Sequence, residues 1–345
     1  MKKATFILSV LMLIIISVSY AQVAKSGYKV SNRIHLDGDG GWDYLTMDEA
    51  TSRLYISHGT IVQVLDVNEK KVAGTIPDTK GVHGITLARD INKGFISNGK
   101  DTSVTVFDLK TLQVITKVKV TGNNPDAILY DPFSHRVFTF NGRSSNSTVI
   151  DANSNKVTGT IVLPGKPEFS VTDGNGKIYV NIEDKSQLCR INPMTLAIEK
   201  TWSVAPGEEP SGLAIDIKNH RLFAVCGNKL MIVLDADNGK VVSKLDIGDG
   251  VDGVSFDPVL KRVYSSNGEG TMTIVQEENK DTFKVLENFQ TQKGARTITI
   301  NPQTHKLYLP AAEFEAAPAA TAENPRHRPA VKPNTFTILE IEPME

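Results

Sequence analysis

Apolar residues fall along this chain in short runs, and turn-forming Asp, Asn and Gly separate the runs at close intervals. No segment places apolar residues at the three- and four-residue spacing of an amphipathic helix. Short apolar runs bounded by Asn-Gly turns are instead the signature of strands joined as hairpins. The pattern therefore predicts an all-β protein. It is also periodic. A basic residue, any residue and then Tyr or Phe recur seven times, as Arg53-Leu54-Tyr55, Lys93-Gly94-Phe95, Arg136-Val137-Phe138, Lys177-Ile178-Tyr179, Arg221-Leu222-Phe223, Arg262-Val263-Tyr264 and Lys306-Leu307-Tyr308. Successive aromatic residues stand 40, 43, 41, 44, 41 and 44 positions apart.

Each copy continues alike. An Asp or Asn stands shortly before the basic residue (Asp48, Asp131, Asp173, Asp216, Asp257, Asn301), where it opens a turn; the second copy departs, with Ala88. The aromatic strand ends in a turn such as Asn98-Gly99, Asn141-Gly142 or Asn267-Gly268. A further strand ends in an acid or amide, as in Val106-Phe107-Asp108 or Val233-Leu234-Asp235, and a last strand follows, as in Lys240 to Leu245. Four strands of about 5–6 residues with short loops fill such a period, which is the size of one propeller blade. The expectation is a seven-bladed β-propeller with four antiparallel strands per blade. Lys29 to Leu36 matches the last strand of a blade, and the seventh copy ends on what reads as a third strand, Thr335 to Glu340. The N-terminal strand should therefore complete the last blade and close the ring, leaving no open edge between first and last blades.

At these residues the chain resembles the YVTN-type seven-bladed β-propeller repeat family, the YncE-like exported bacterial proteins. The signature is Phe95-Ile96-Ser97-Asn98 with Val104-Thr105-Val106-Phe107-Asp108, and Tyr179-Val180-Asn181 comes nearest to the family's name. The resemblance runs over residues 29–342. It implies the fold and export; it implies no catalytic residue. Analogy with other propellers, among them lactonases and haem-binding propellers, is all it offers on activity.

Composition changes the picture at two points. Lys2 and Lys3 precede an apolar run from Phe6 to Val18, and Ser19-Tyr20-Ala21 puts small residues where a signal peptidase cuts. Residues 1–21 thus read as a secretory signal peptide and 22–345 as one propeller domain, placed in the periplasm or outside a bacterial cell. The run is shorter than the ~20 residues of a membrane span. Loss of Lys2 and Lys3 leaves 36 basic against 39 acidic side chains, a net charge of −3, which argues against nucleic acid as a partner. The 2 Cys, Cys189 and Cys226, form no disulfide framework; they read as buried thiols or as one bridge between neighbouring blades. A monomer is expected.

Candidate chemistry comes from counting back from the recurrent basic residue. The equivalent positions just before the innermost strand are Asp43, His83, Asp126, Glu168, Ser211, Asp252 and Arg296. Two positions later the set is apolar apart from one Ser, so the polar set is either a ligand-binding ring at the channel mouth or a set of turn residues bonded to nearby loops. As a ring it offers Asp43, Asp126, Glu168 and Asp252 to a divalent metal such as Ca²⁺, His83 as a proton-transfer group, and Arg296 as an anion clamp. The last blade carries an Ala/Pro-rich insertion, residues 311–333, with Arg326, His327 and Arg328 near its centre. It reads as a lid or as slack. Asp37-Gly38-Asp39-Gly40-Gly41 reads as a Gly-rich turn, since the later Glu and the helices of a calcium loop are missing.

Two functions fit. One is a binding or scaffold module that takes a protein, glycan or small ligand on its channel face. The other is a lactonase-like or other metal-assisted hydrolase working through the ring. A metal-handling accessory role is a further option. No nucleophile elbow, zinc-protease helix or phosphate loop is present in the sequence.

Overall fold

The computed structural model describes residues 27–316 and 329–344. Seven antiparallel sheets of four strands follow one another. Blades 1 to 6 are each built from consecutive strands, beginning with Trp42–Asp48, Val82–Ala88, Pro125–Asp131, Pro167–Thr172, Pro210–Asp216 and Val251–Asp257. These first strands lie innermost, and neighbouring ones touch around the axis. Blade 7 consists of Thr299–Asn301, Lys306–Ala311, Thr337–Pro343 and, outermost, the N-terminal strand Tyr28–His35. The closure is antiparallel, with Tyr28 opposite Pro343 and His35 opposite Thr337. The ring therefore closes as its repeat pattern predicts. The signal-peptide reading of residues 1–21 lies outside the described residues.

The repeat residues explain why the blades stay together. The recurrent aromatics Tyr55, Phe95, Phe138, Tyr179, Phe223, Tyr264 and Tyr308 are all buried between sheets. Each such side chain contributes about 1.5–3 kcal/mol relative to an exposed one. Five of the seven recurrent basic residues reach the following blade, while Lys177 and Lys306 pair with acids of their own blade. Arg53 donates to the Leu109 carbonyl, Lys93 to Ala152 and Asn153, Arg136 to Pro193, and Arg221 to Lys280. Arg262 donates to the Tyr28 hydroxyl at 2.7 Å, so the same device spans the closure.

The recurrent acids cap the turns they open. Asp48 accepts from the Ala50 amide, Asp131 from Ser134, Asp216 from Lys218, and Asp257 from Val259 and Leu260. In blade 2, where Ala88 stands instead, the turn is a short 3₁₀ segment, Arg89–Ile91. The Gly-rich segment is a turn packed on the next hairpin: Gly40 has φ +123°, and a Cβ there would lie 2.9 Å from the Gly59 Cα. Cys189 and Cys226 are buried free thiols. Among the described residues no helix is long and apolar enough to cross a membrane.

The insertion of the last blade starts later than expected. Pro310 and Ala311 still pair with Ile338 and Thr337, because the Tyr308 strand runs on to meet the third strand before the chain departs. Its stem then continues as a bridge between Phe314 and Val331. Arg326, His327 and Arg328 lie outside the described residues.

Candidate functional site

Counting back from the basic residue places the polar set just before the innermost strands. The structure puts six of the seven inside them. Asp43, His83, Asp126, Glu168, Ser211 and Asp252 are each the second residue of an innermost strand. In every one of those strands the pairing slips across this second residue, between Trp42 and Leu45 in blade 1, at the matching place in blades 2 to 5, and between Val251 and Gly253 in blade 6. Such a bulge breaks the strict in-out alternation and re-aims a side chain. Here it turns the second residue toward the mouth of the channel. Arg296 sits in the loop before the short innermost strand of blade 7.

These side chains meet across blades. His83 Nδ1 lies 2.6 Å from Asp43 Oδ2 and 3.6 Å from Asp126 Oδ1. Arg296 bonds Asp252 at 2.7 Å and reaches Asp43 at 3.4 Å. Glu168 is paired at 2.7 Å with Lys166, which also holds Glu183. Ser211 donates to the Val251 carbonyl at 3.4 Å. Among the described residues it has no hydrogen bond to a carboxylate or imidazole, so nothing there activates it as a nucleophile.

A cavity of about 720 Å³ opens at this mouth, bordered by the equivalent residues of every blade but the second. Its carboxylates are Asp43, Asp126, Glu168, Glu183 and Asp252; its cations are Lys166, Lys293 and Arg296. Tyr44 of blade 1 meets Phe169 of blade 4 with ring centroids 5.2 Å apart. Those blades are not neighbours, so the contact crosses the channel next to the carboxylates. The matching residue is Gly in blades 2, 5 and 6. A Cβ on Gly84 would press against the Asp126 carbonyl and the Ile128 side chain.

The electrostatics follow from burial beside like charge. Burial, then the Asp126 charge, pushes the Glu168 carboxyl up to about 8 despite Lys166. Burial also raises Asp126, against the pull of His83 and with the help of Asp43 and Asp252. For His83, burial alone would favour the neutral ring. The hydrogen bond to Asp43 and the charges of Asp126, Asp43 and Glu168 outweigh it, and the imidazole is pushed up to about 9. The Tyr44 hydroxyl is held well above its usual range, first by burial and then by Asp126, Asp252, Asp43 and Glu168. That group therefore sits in the field of carboxylates from four blades.

Asp43, His83 and Asp126 each offer a ligand atom, and the three atoms lie within 4.8 Å of one another. This is the set that could hold a metal. Glu168 and Asp252, counted with it in the sequence, are engaged by Lys166 and Arg296 instead. Counting by repeats did not find Tyr44, Lys166 or Glu183. Lys166 stands two positions before Glu168 and carried a weak signal; Glu183 lies on a 3₁₀ turn that replaces the usual hairpin turn.

No protein-family model matches the chain. Two curated relatives, "Uncharacterized protein YncE" of Salmonella typhi and of Salmonella typhimurium, are 26% and 25% identical to it. Each match runs over 149 residues, 41% of this chain and 42% of the relative, so the chain spans less than half the length of the relatives it matches. Among solved structures, a chain of the Mitotic Checkpoint Complex has a TM-score of 0.74 at 10% identity, over 98% of this chain and 99% of that one. A chain of Kuenenia stuttgartiensis Hydrazine Synthase has a TM-score of 0.68 at 18% identity, over 80% and 94%. Both likenesses are of fold. Together with the ring of seven sheets and the similarity to YncE over part of the chain, they describe a YncE-like seven-bladed propeller.

Proposed function

We propose that this chain is an exported, monomeric binding module that holds a small polar ligand with a cationic group at its channel mouth. One observation carries the reading. Equivalent residues of six blades converge on a single cavity beside the Tyr44–Phe169 contact, and its carboxylates outnumber its cations. A polar cavity of this size suits a small molecule. Glu168 and Asp126 are not fully compensated within the protein, so a cationic group entering the cavity supplies the missing partner. The N-terminal Lys pair, apolar run and small residues support export.

The test is a thermal-shift panel of simple amines, carboxylates and neutral sugars on the wild type and on Asp126→Asn/Glu168→Gln. The reading predicts that amines alone raise the melting temperature of the wild type, less at high salt, and fail on the double variant. Equal response to all three classes, or an unchanged response in the variant, overturns it.

A second reading, metal-assisted hydrolysis, is favoured by the Asp43, His83 and Asp126 group. A carboxylate and imidazole set suits a transition-metal ion that polarises a carbonyl. It predicts metal retained through dialysis, and lactone opening that is lost in Asp126→Ala and His83→Ala. Metal-free protein inactive on a lactone panel overturns it.

A further inference from the structure

A second cavity, about 940 Å³, adjoins the first along Gly41, Trp42, Asp43 and Arg296 and opens over blades 1 to 3. Its charge is of the other sign. Lys100 and Arg143, on the second-to-third-strand turns of blades 2 and 3, line it with His83 and Arg296. Both are exposed, and among the described residues neither has an ion-pair partner. The carboxylates here are Asp39 and Asp43, and Asp43 is already shared by His83 and Arg296. With His83 Nδ1 on Asp43, the nitrogen left over is Nε2. It lies against Gly99, another residue of this wall; a Cβ on Gly99 would stand 2.6 Å from it.

Trp42 belongs to the wall common to both cavities. The residue is only 7% exposed, and its indole N–H has no acceptor among the described residues. The indole ring packs against Phe314 and Phe336, so what it gives the common wall is a fixed apolar surface. Trp42 and Arg296 thus stand between a carboxylate-rich chamber and a cation-rich one.

We propose that the two cavities form one composite site for a zwitterion that carries an ammonium group and a carboxylate, as an unblocked amino acid or short peptide does. The ammonium group lies among Asp126, Glu168 and Asp252, and the carboxylate among His83, Lys100 and Arg143. The proposal rests on the channel mouth being a cation site and adds the anionic half. The argument for one ligand rather than two is the common wall. Charges fixed at opposite ends of a short chain satisfy both chambers at once, and the second contact is then intramolecular. Arg143 suits a carboxylate because its planar fork can donate two parallel hydrogen bonds.

The test is calorimetric titration of the chain at low ionic strength with triglycine, N-acetyltriglycine and triglycinamide. Glycine and diglycine, each with its N-acetyl and amide forms, are run alongside to find the span. The same probes are applied to Lys100→Gln/Arg143→Gln, whose exposed side chains leave the core untouched. The proposal predicts that triglycine or a shorter member binds about tenfold or more tightly than either of its blocked forms. It also predicts that the double variant loses the gain from the free carboxylate and keeps the affinity for the amide. Amide and free acid binding alike, with binding abolished by Asp126→Asn, overturns the composite site and leaves the cation site standing. Binding of the N-acetyl form alone overturns the cation site as well. No binding by any of the probes overturns the proposal.

Discussion

His83 Nδ1 lies 2.6 Å from Asp43 Oδ2 and joins the innermost strands of blades 2 and 1 at the rim of the channel. A distance this short is that of a charge-assisted hydrogen bond. Because the imidazole is pushed up to about 9, its contribution to stability is complete below pH 6.5 and is lost as the pH rises through about 9. The imidazole proton resonances should therefore titrate near pH 9 in the wild type, and at a lower pH in Asp43→Asn, where Asp126 and Glu168 still favour the charged ring. A wild-type midpoint at or below pH 6.5 contradicts the pairing.

Glu277 presents the opposite charge case on the outer side of the blades. It is buried, Asn219 donates to it at 2.7 Å, and burial and the neighbouring Asp216 push its carboxyl up to about 7. Lys261 opposes the shift. The neutral acid is the folded form, so its contribution is complete below the free carboxyl value and lost as the pH rises through about 7. Glu277→Gln should be more stable than the wild type at pH 8 by about 1–3 kcal/mol, and should lose that advantage at pH 5. Urea denaturation at the two pH values measures this; equal differences at both contradict it.

A buried acid adds to the backbone pairing that closes the ring. Glu340 accepts from Ser31 and Asn32 of the N-terminal strand and from Lys306 of the neighbouring strand, the last at 2.7 Å. Glu340→Gln keeps the volume and removes the charge. It should cost about 1–2 kcal/mol in urea denaturation, with Lys306→Met costing less on the Glu340→Gln background than alone. Additive costs would show that Glu340 and Lys306 do not act as a pair.

The fold was legible because most blades repeat the same physical needs: an acid or amide to cap a turn, absent only from blade 2, a base that in five blades reaches the next one, and in all seven an aromatic to fill the space between. Arg53, Tyr55 and Asp48 each do in the structure what their recurrence suggests. The ring positions were legible by the same count, down to Asp43 and His83, although they fall one step inside the strand and not before it. What the repeat could not carry is whatever differs between copies. Tyr44 meets Phe169 across the channel because two non-adjacent blades hold large rings where three others hold glycine. No period of about 42 residues encodes a contact between the first and fourth copies. Lys166 and Glu183 were hidden for the same reason, since only blade 4 uses a 3₁₀ turn to bring an acid back toward its loop lysine. The opposite charge of the second cavity depends on Lys100 and Arg143, whose turns read in sequence as ordinary hairpin ends.

The most direct test of the channel mouth as a cation site is the titration of Glu168 itself. In protein carrying ¹³C-labelled glutamate, with Glu168→Gln used to assign the resonance, the carboxyl carbon should titrate at about pH 8. Addition of a saturating simple amine such as 1,4-diaminobutane should pull that midpoint down toward the ordinary carboxylate range, because an ammonium group beside it favours the charged form. A midpoint near 4.5 in the free protein, or one that the amine leaves unmoved, would contradict the account.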